Sequence, residues 1–376
     1  MIEPARPSGE DVSPSQVDSA TRSLPMAKRK AVSIKDVARE SGSSLTTVSL
    51  VLNKRDRRIS EATRDRVLQT VQRLGYRPSR LAQGLQSQRT YFLAILVPQL
   101  RHAFADAYFG EIISAIHDHA RSAGYKVLLE VADEDFLGTR QHLELFDRHI
   151  VDGILCLGVT NRDEYLSDFE RRDSEQTARP RPVIIVNNYL PGHRFNFVRC
   201  DYHEAGRMAC AYLLELGHRA IALIHGAAEV QTTHDFRAGI EEALARAGLK
   251  LTPQRIEDGF YTEEGGAEAA AKLLKRDRAI TAIIAGNDKM AIGAISNLKE
   301  SGLRVPTDVS VVGCDDMHHA AFCDPPLTTI HTPIYEMGER ACDRLLDLIE
   351  GKVASVEETH PVTMCVRKSA SAPRTE

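Results

Sequence analysis

From Tyr91 onward, short apolar runs alternate with segments of helical period, and this alternation restricts the fold more than any other feature of the sequence. The candidate strands are Phe92–Val97, Lys126–Val131, Gly153–Leu157, Val183–Val186, Ala220–Ile224, Ala282–Ile284 and Val309–Val312. A helix is predicted between the first two, over Ile112–Ala123. Such alternation predicts an α/β fold of doubly wound parallel sheets, and two sets of strands over about 270 residues predict two lobes. A ligand would bind between the lobes, beyond the carboxyl ends of the strands.

The stretch from Ile34 to Asn53 has a different pattern, in which two short helical periods are separated by a glycine. Gly42 breaks the period at a tight turn. On the second helix, small hydroxyl side chains lie away from the apolar side, where they can meet base edges and phosphates in a DNA groove. These side chains are Ser44, Thr46, Thr47 and Ser49. The pattern predicts a helix-turn-helix, although by itself it fits a helical hairpin packed into a core equally well.

The residues around this stretch extend it to three helices. Ser33 is a good N-cap for the first helix with Asp36 at the capping-box position, and Ser60 can cap a third helix that runs to about Leu74. The third helix has an apolar stripe that can pack under the first two, formed by Ala62, Val67, Leu68, Val71 and Leu74. Three short helices with one core predict an all-α headpiece of the repressor kind.

The distribution of charge separates this N-terminal region from the rest of the chain. From Lys28 to Thr90 there are 15 Lys and Arg against five Asp and Glu, a net charge of +10. The remaining 33 basic and 47 acidic residues give −14, so the overall charge of −4 conceals a basic end. A concentrated positive charge beside a helix-turn-helix favours a polyanionic partner.

The segments on either side of the headpiece are poor in core-forming residues. Residues 1–31 are rich in Pro and Ser and are predicted to form a disordered arm. Residues 78–90 are basic, and Gly84 costs a helix about 1 kcal/mol relative to Ala, so a helix there would form best when something holds it. Leu85 then has two interpretations, a wedge between base pairs in the minor groove or a contact with the body.

Composition limits the remaining classes of function. The longest apolar runs are too short to span a membrane, and charges at Glu3, Arg6 and Glu10 stand where an export signal needs an apolar run, so we expect a cytoplasmic protein. The seven cysteines lack paired spacing and are predicted to be reduced and mostly buried. No dinucleotide, nucleotide triphosphate, nucleophile-elbow or zinc-protease motif is present, so neither an enzyme nor a cofactor is predicted.

Two weaker hypotheses concern the segment after the last predicted strand. Cys314 to His319, with His331, resembles a metal cluster in composition, but adjacent histidines point apart on a helix or a strand. Asp315 and Asp316 could in principle be the acid and base of a sugar-processing enzyme. That chemistry needs two carboxylates about 5 to 9 Å apart across a substrate, which adjacent residues rarely achieve.

Six stretches in order carry a family resemblance. They are IKDVARESG with TTVSLVLN, YRPSRLAQGL, LGHR at 216–219, NDKMAIG at 287–293, VVGCDD at 311–316 and PPLTTI at 325–330. The chain resembles the lactose-repressor/galactose-repressor (LacI/GalR) family of bacterial transcription factors from about Val32 to Lys368. The resemblance implies a repressor that binds a near-palindromic double-stranded DNA operator as a homodimer, with a tetramer as the alternative, and a periplasmic-binding-protein-like body that binds a small-molecule effector.

The resemblance also implies which residues contact DNA. The base-reading positions of the family fall on Leu45, Thr46 and Leu50, and its minor-groove wedge falls on Leu85. Leu50 departs from the Arg often found there, and a Leu can make only apolar contact, for instance with a thymine methyl group. Asn53, at the end of the second helix, and Arg80, in the basic hinge segment, complete the predicted set.

In the predicted effector cleft the resemblance is less complete. The aromatic pair Tyr108 and Phe109 lies where purine-responsive members stack a ligand, with core packing as the alternative. Two departures are Phe236, in place of the usual pocket Arg with Arg237 one residue later, and Asn187, where sugar-binding members often have Asp. The other positions that the resemblance assigns to the effector are Thr232, Tyr261, Asn287 and Asp315.

Together these features predict a repressor whose operator affinity is set by a sugar, sugar derivative or purine-like effector. The predicted organisation is an arm (1–31), a helix-turn-helix headpiece (32–77), a hinge helix or linker (78–90), a two-lobed effector-binding and dimerisation domain (91–368) and a tail (369–376). The alternative is a solute-binding protein without DNA function, which would have an export signal and no headpiece.

Overall fold

The computed structural model describes residues 32–52, 58–76, 89–99, 106–174 and 182–374. The chain divides into two compact units, residues 1–79 and 80–376. The finer boundaries predicted from the sequence, with a separate hinge at 78–90, stay predictions. None of the helices in the described ranges is long and apolar enough to cross a bilayer.

Where the structure describes the first unit, it contains three helices, α1 (Ile34–Ser41), α2 (Leu45–Leu52) and α3 (Glu61–Leu74). The predicted capping box at the start of α1 is confirmed: the Asp36 amide donates to Ser33 Oγ, and the Ser33 amide donates to the Asp36 carboxylate at 3.0 Å. Gly42 ends α1 with a φ of 61°, a left-handed conformation that glycine adopts without strain. The helix-turn-helix therefore forms where the sequence predicts it.

A small apolar core holds these helices together, built from Val37, Val48, Val51 and Val67.

Two predictions for α3 are wrong, the inward position of Leu68 and Ala62 and the side-chain cap at Ser60. Leu68 is 42% exposed and Ala62 is exposed as well, because the inward face of α3 presents Val67 and Thr70 instead. Ser60 precedes α3, but its hydroxyl bonds to Thr63 Oγ1 at 2.9 Å rather than capping a backbone amide.

The second unit contains two sheets, each of six strands in the described residues. The elements of the first lobe, in chain order, are β1 (Phe92–Pro98), α4 (Ala107–Ser122), β2 (Lys126–Ala132), α5 (Glu134–Gly138), α6 (Gln141–Asp147), β3 (Gly153–Leu157), α7 (Leu166–Ser174), β4 (Val183–Val186) and β5 (Asn196–Cys200). Strands β3 and β4 are buried along their whole length, as expected of parallel strands covered by helices on both faces.

The second lobe repeats this arrangement. Its elements are α8 (Tyr202–Glu215), β6 (Ile221–His225), α9 (Gln231–Arg246), β7 (Ile256–Asp258), α10 (Glu263–Arg276), β8 (Ala282–Ala285), α11 (Asp288–Glu300), β9 (Ser310–Asp315) and β10 (Thr328–His331), with short 3-10 helices at Pro253–Arg255 and His318–Ala321. The chain then forms α12 (Ile334–Ile349), β11 (Glu357–His360) and β12 (Thr363–Cys365). Helix α12 packs on α4, and β11 pairs with β5, so both belong to the first lobe.

The strand order is β11-β5-β4-β3-β1-β2 in the first sheet and β12-β10-β9-β8-β6-β7 in the second. All pairs are parallel except β10 with β12. The chain therefore passes between lobes after β5, after β10 and after β11. This connectivity confirms the predicted fold class of two doubly wound lobes, and packing of the second lobe continues beyond Lys368, because Ser369 is fully buried.

Two glycines allow an unusually close contact between α8 and α9. A Cβ on Gly206 would lie 1.9 Å from the Phe236 carbonyl oxygen, and a Cβ on Gly239 would lie 1.9 Å from that of His203. Any larger residue at either position would push the two helices apart. Since α9 carries residues of the cleft described below, this contact fixes the position of one cleft wall.

All seven predicted strands are present within a few residues of their predicted ends. The sequence reasoning did not find β5, β7, β10, β11 and β12, which are short and in part polar. The cysteines are free thiols, as predicted, with Cys323 and Cys365 half-buried and the other five buried.

Candidate functional site

Helix α2 presents an exposed face of mixed polarity. Val48 and Val51 point into the headpiece core, while Leu45 is 45% and Leu50 36% exposed. Thr46 is exposed beside them. Two large apolar side chains on the outer face of an eight-residue helix have no role in the core of this unit.

Hydroxyl groups organise the start of α2. Ser44 Oγ accepts a hydrogen bond from the Thr47 amide at 3.0 Å and lies 2.9 Å from Thr47 Oγ1. Thr47 and Ser49 are half-buried, and Ser44 is exposed. The other residues predicted to contact DNA, Asn53, Arg80 and Leu85, lie outside the described residues.

A cavity of about 1130 Å³ lies between the two lobes of the second unit. Its walls include the residues at the carboxyl ends of strands from both sheets, the position where doubly wound folds bind ligands. These residues are Pro98 of β1, Gly158 after β3, Asn187 after β4, Gly226 after β6, Gly286 after β8 and Asp315 of β9.

A hydrogen-bonded chain of polar side chains forms one end of the cavity. The Asn187 amide donates to the hydroxyl of Tyr108 and to that of Tyr202, the latter at 2.8 Å, and Asn187 Oδ1 accepts from the Cys200 amide at 3.0 Å. The Tyr202 hydroxyl in turn donates to Asp315 at 3.5 Å. Asn187, at the centre of the network, adopts a left-handed φ of 57°, a conformation that asparagine accepts more readily than most residues with a side chain.

Asp315 is a buried acid in this wall. It is 8% exposed and has a φ of 110°, and the side-chain bond from Tyr202 is long. Burial, followed by the negative charge of nearby Asp288, holds the pKa of the Asp315 carboxyl well above its usual range. A buried carboxyl with weak internal partners can bind hydroxyl or amino groups of a ligand.

The wall from the second lobe combines aromatic and polar groups. The Tyr261 hydroxyl bonds to Thr233 Oγ1, and the Asn287 amide donates to the Tyr261 carbonyl at 3.4 Å while Asn287 Oδ1 caps α11. Thr232 and Phe236 on α9 also line the cavity. Arg237 is absent from the described lining, and its guanidinium is paired with Glu241 at 2.8 Å along the same helix.

The aromatic pair predicted from the sequence has two roles. Tyr108 and Phe109 pack edge to face with centroids 5.4 Å apart, and both line the cavity. Phe109 is 8% exposed and belongs to the core of the first lobe, whereas Tyr108 joins the polar network. Phe109 therefore contributes to the core as well as to the cavity lining, and contact of either ring with a ligand stays a prediction.

Among the described residues, three ion pairs connect the lobes around the cavity. Lys289 Nζ lies 2.8 Å from Asp106 Oδ2, Arg162 lies 2.5 Å from Glu229, and Arg199 lies 2.8 Å from Asp235. Arg199 also stacks over the Tyr189 ring, 4.4 Å from its centroid. The described conformation is thus one in which the lobes touch.

Several cavity residues escaped the sequence reasoning, namely Asp106, Asn188, Tyr202, Phe260, Lys289 and Phe322. Tyr202 begins α8, two residues after the end of β5, a strand that was not predicted, and a position just after a parallel strand would have identified it. Phe260 and Phe322 carry no sequence signal, because an aromatic residue in a loop is compatible with any role.

The weaker chemical hypotheses do not fit the geometry. Asp316 bonds to Arg367 at 2.6 Å and lies 3.2 Å from His331, while Asp315 joins the cavity network, so the adjacent carboxyls have separate partners. Within the described ranges, no group of three or more His, Cys, Asp or Glu could hold a metal ion.

Comparison with known protein families gives two matches. Residues 33–79 match the model of bacterial regulatory proteins of the lacI family, and residues 210–370 match a periplasmic binding protein-like domain. The first match covers the helix-turn-helix, and the second covers most of the second lobe.

Curated relatives align along nearly the whole chain. The HTH-type transcriptional repressor PurR of Pasteurella multocida is 36% identical over 342 residues, which cover 90% of this chain and 98% of that protein. The HTH-type transcriptional repressor CytR of Escherichia coli K12 is 34% identical over 343 residues, which cover 91% and 97%.

Solved structures show the same architecture. A lac repressor dimer bound to operator and the anti-inducer ONPF has a TM-score of 0.76 and 26% identity, over 91% of this chain and 100% of that one. The complex of the transcriptional regulator CelR with cellobiose has a TM-score of 0.69 and 28% identity, over 90% and 100%.

Proposed function

The chain belongs to the lacI family of bacterial regulatory proteins, and we propose which of its residues carry out the effector-controlled transcriptional repression of that family. It binds operator DNA as a dimer, and the alternative of a solute-binding protein without DNA function is not favoured. The observation that carries the proposal is that one chain combines a helix-turn-helix with a large cavity between two lobes, whose mostly apolar wall carries a small number of polar groups.

In the proposed DNA contact, α2 reads bases with Ser44 and Thr46 and with the apolar side chains of Leu45 and Leu50. Leu45 and Leu50 are exposed on α2 and absent from the headpiece core, so their apolar surface is available to a partner. Thymine is the base that offers an apolar group, its methyl, in the major groove. We therefore expect an operator with A·T pairs at the positions that these two residues face. Asn53, Arg80 and Leu85 remain proposed contacts from the resemblance.

In the proposed effector site, the charges of the cavity favour an uncharged ligand rich in donor groups. Its lining holds four carboxyl groups, those of Asp106, Glu263, Asp288 and Asp315. Among the described lining residues, Lys289 is the one Lys or Arg, and it bonds to Asp106. Burial lowers the pKa of His225, so this lining histidine is neutral at pH 7.

A sugar, nucleoside or purine meets this requirement, whereas a sugar phosphate or sugar acid would bring a negative charge into a cavity whose one described Lys or Arg, Lys289, is already paired with Asp106. The cellobiose complex of CelR supports a sugar. The groups proposed to receive the effector are Tyr108 and Asn187 of the first lobe, with Asp315, Thr232, Tyr261 and Asn287 of the second lobe, and Phe236 as an apolar contact.

The proposed control is thermodynamic linkage between the cleft and the DNA. An effector that contacts both lobes stabilises one arrangement of them over others, and only such a difference in affinity can shift the equilibrium. The paired hinge segments of a dimer then sit at a spacing that favours or disfavours operator binding.

The DNA contact is tested by selecting operators from random duplex DNA with the full-length wild-type protein, Leu50→Arg and Leu68→Arg. Leu68 is an exposed leucine of the same unit but lies on α3, so its variant controls for the added positive charge. Leu50→Arg should select guanine at one position per half-site, since Arg binds guanine through two hydrogen bonds. Leu68→Arg should select the wild-type sequence. Identical selections by all three proteins would refute the assignment of Leu50.

The effector site is tested by a thermal-shift screen of neutral sugars and nucleosides against sugar phosphates, because a ligand that binds the folded state raises the unfolding temperature. Neutral compounds should give the shifts, and Asp315→Asn should reduce them. A strong shift with sugar phosphates alone would overturn the proposed charge preference.

A further inference from the structure

Two phenylalanines at the cavity are the most exposed large apolar side chains of the described chain. Phe322 is 75% and Phe260 is 64% exposed, and both line the cavity between the lobes. Single exposed apolar residues are common on protein surfaces. Two such rings at one ligand cavity are less common than single exposed residues. Exposed apolar surface beside a binding site indicates a surface that a bound partner covers and shields from water.

Phe260 lies in a left-handed turn that is strained for a bulky side chain. Phe260 and Tyr261 have φ values of 52° and 60°, consecutive left-handed conformations that disfavour bulky residues. The turn is closed by the Thr262 amide, which donates to the Gly259 carbonyl at 3.1 Å. Glycine or asparagine would adopt this turn at lower cost. The strain presents two aromatic rings, with Tyr261 bonded to Thr233 in the wall and Phe260 exposed.

Phe322 is held differently and is the more exposed of the two rings. It follows the 3-10 helix His318–Ala321, and its amide donates to the His319 carbonyl at 3.0 Å. Its ring lies 4.8 Å from that of His318 at an interplanar angle of 36°. This single tilted contact orients the ring and leaves most of its surface open to solvent at the cavity.

We propose that Phe260 and Phe322 form an outer subsite that binds the second ring of a two-ring, uncharged effector, such as a nucleoside or a disaccharide. The inference rests on the proposed function, in which the first ring occupies the polar end of the cavity around Asp315 and Asn187. The cavity of about 1130 Å³ is slightly larger than the pockets of about 300–1,000 Å³ that enclose drug-sized ligands, so a single sugar or base leaves much of it to water. Flat apolar faces of sugars and bases pack favourably on aromatic rings.

The test is isothermal titration calorimetry on the full-length protein with matched probes, each a one-ring compound beside its two-ring counterpart. The pairs are glucose and cellobiose, cytosine and cytidine, and adenine and adenosine. In at least one pair the two-ring compound should bind at least tenfold tighter to the wild type, and the identity of that pair distinguishes a disaccharide from a nucleoside.

The variants are Phe260→Ala, Phe322→Ala and the combination of both. Loss of one ring should weaken the two-ring probe about fivefold, and loss of both more than tenfold, with the one-ring probe unchanged. Phe260→Tyr and Phe322→Tyr keep the flat ring and should retain affinity, which separates loss of stacking from misfolding. Phe92→Ala removes an exposed phenylalanine outside the cavity lining and should change nothing.

Equal losses for one-ring and two-ring probes, or no loss for either, would overturn the outer subsite. Asp315→Asn separates this outcome from failure of the proposed function. If probes bind in an Asp315-dependent manner but ignore both phenylalanines, only the subsite is wrong. If no probe binds the wild type, the proposed neutral effector and the subsite both fail.

Discussion

Asp288 should make the stability of this protein fall as the pH rises from 5 to 8. The residue begins α11 and is 1% exposed. Its carboxylate accepts hydrogen bonds from the Met317 amide at 2.7 Å and the Thr329 hydroxyl at 2.5 Å. Burial outweighs these bonds and raises the pKa of Asp288 from 3.8 to about 7.

Stability falls as the pH rises because the folded and unfolded states bind different numbers of protons. Between about pH 4 and 7 the folded protein holds a proton on Asp288 that the unfolded chain has lost, so rising pH favours unfolding in this window. A pKa raised by about three units corresponds to about 4 kcal/mol in total, of which about 2.5 kcal/mol falls between pH 5 and 8.

The assay is urea unfolding of the full-length wild type and Asp288→Asn at pH 5 and 8, at one fixed protein concentration. Asparagine keeps an acceptor for Thr329 but turns an N–H group toward the Met317 amide, so the variant should be less stable at both pH values by about 1–3 kcal/mol. The informative quantity is therefore the free energy of unfolding at pH 5 minus that at pH 8. In the variant, the excess stability at pH 5 should be smaller by about 2.5 kcal/mol.

Asp308→Asn is the matched control. Bonds from Arg304 hold the pKa of Asp308 well below its usual range, so this carboxylate stays ionised from pH 5 to 8 and its removal should leave the difference unchanged. The same pH difference in wild type and Asp288→Asn would refute the reasoning.

Two further predictions concern packing and thiol reactivity. Gly239→Ala should lower the free energy of unfolding by about 1–3 kcal/mol, because the new Cβ meets the His203 carbonyl of α8. In the control Gly110→Ala, in α4, the new Cβ meets nothing within 4 Å, and the free energy of unfolding should rise by about 0.5–1 kcal/mol. Equal effects of the two substitutions in urea unfolding would contradict the contact between α8 and α9. Iodoacetamide should modify the half-buried Cys323 and Cys365 first. Burial raises the pKa of Cys156, Cys210 and Cys342 to about 12, so these thiols should react slowly. Mass spectrometry that shows these three modified in the folded protein would contradict their burial.

The parts of the fold that sequence reasoning found are those with a periodic or capping signal. Buried parallel strands such as β3 and β4 are continuous apolar runs, and α1 carries a complete capping box, so both could be located from the chain alone. β11, in contrast, has the sequence EETH, and it exists because pairing with β5 satisfies its backbone. Its position depends on a contact more than 150 residues away in sequence, which periodicity cannot show.

The residues of the candidate site also divide into those with a signal in the sequence and those without one. Asn287 and Asp315 follow or end predicted strands within recognisable motifs, and both line the cavity. Tyr202 bonds to Asn187 and Asp315, and its role appears only when three strand ends meet. Leu68 shows the opposite error: helical spacing placed it inward, but a stripe about 100° wide leaves the residues at its edges undetermined.

The contacts between the lobes were also invisible in the sequence, and their strengths suit a protein that must change shape. The Asp106–Lys289 and Arg162–Glu229 pairs are partly exposed, so each contributes at most about 1 kcal/mol. Arg199 and Asp235 are less than 20% exposed. Arg199 lies on β5 beside the first crossing between lobes and also stacks on Tyr189, whereas Asp235 lies on α9. The lobes are thus held more firmly near a crossing than at the other two pairs. A ligand with a few kcal/mol of preference for one lobe arrangement exceeds those two pairs together, and allosteric coupling energies are of that size.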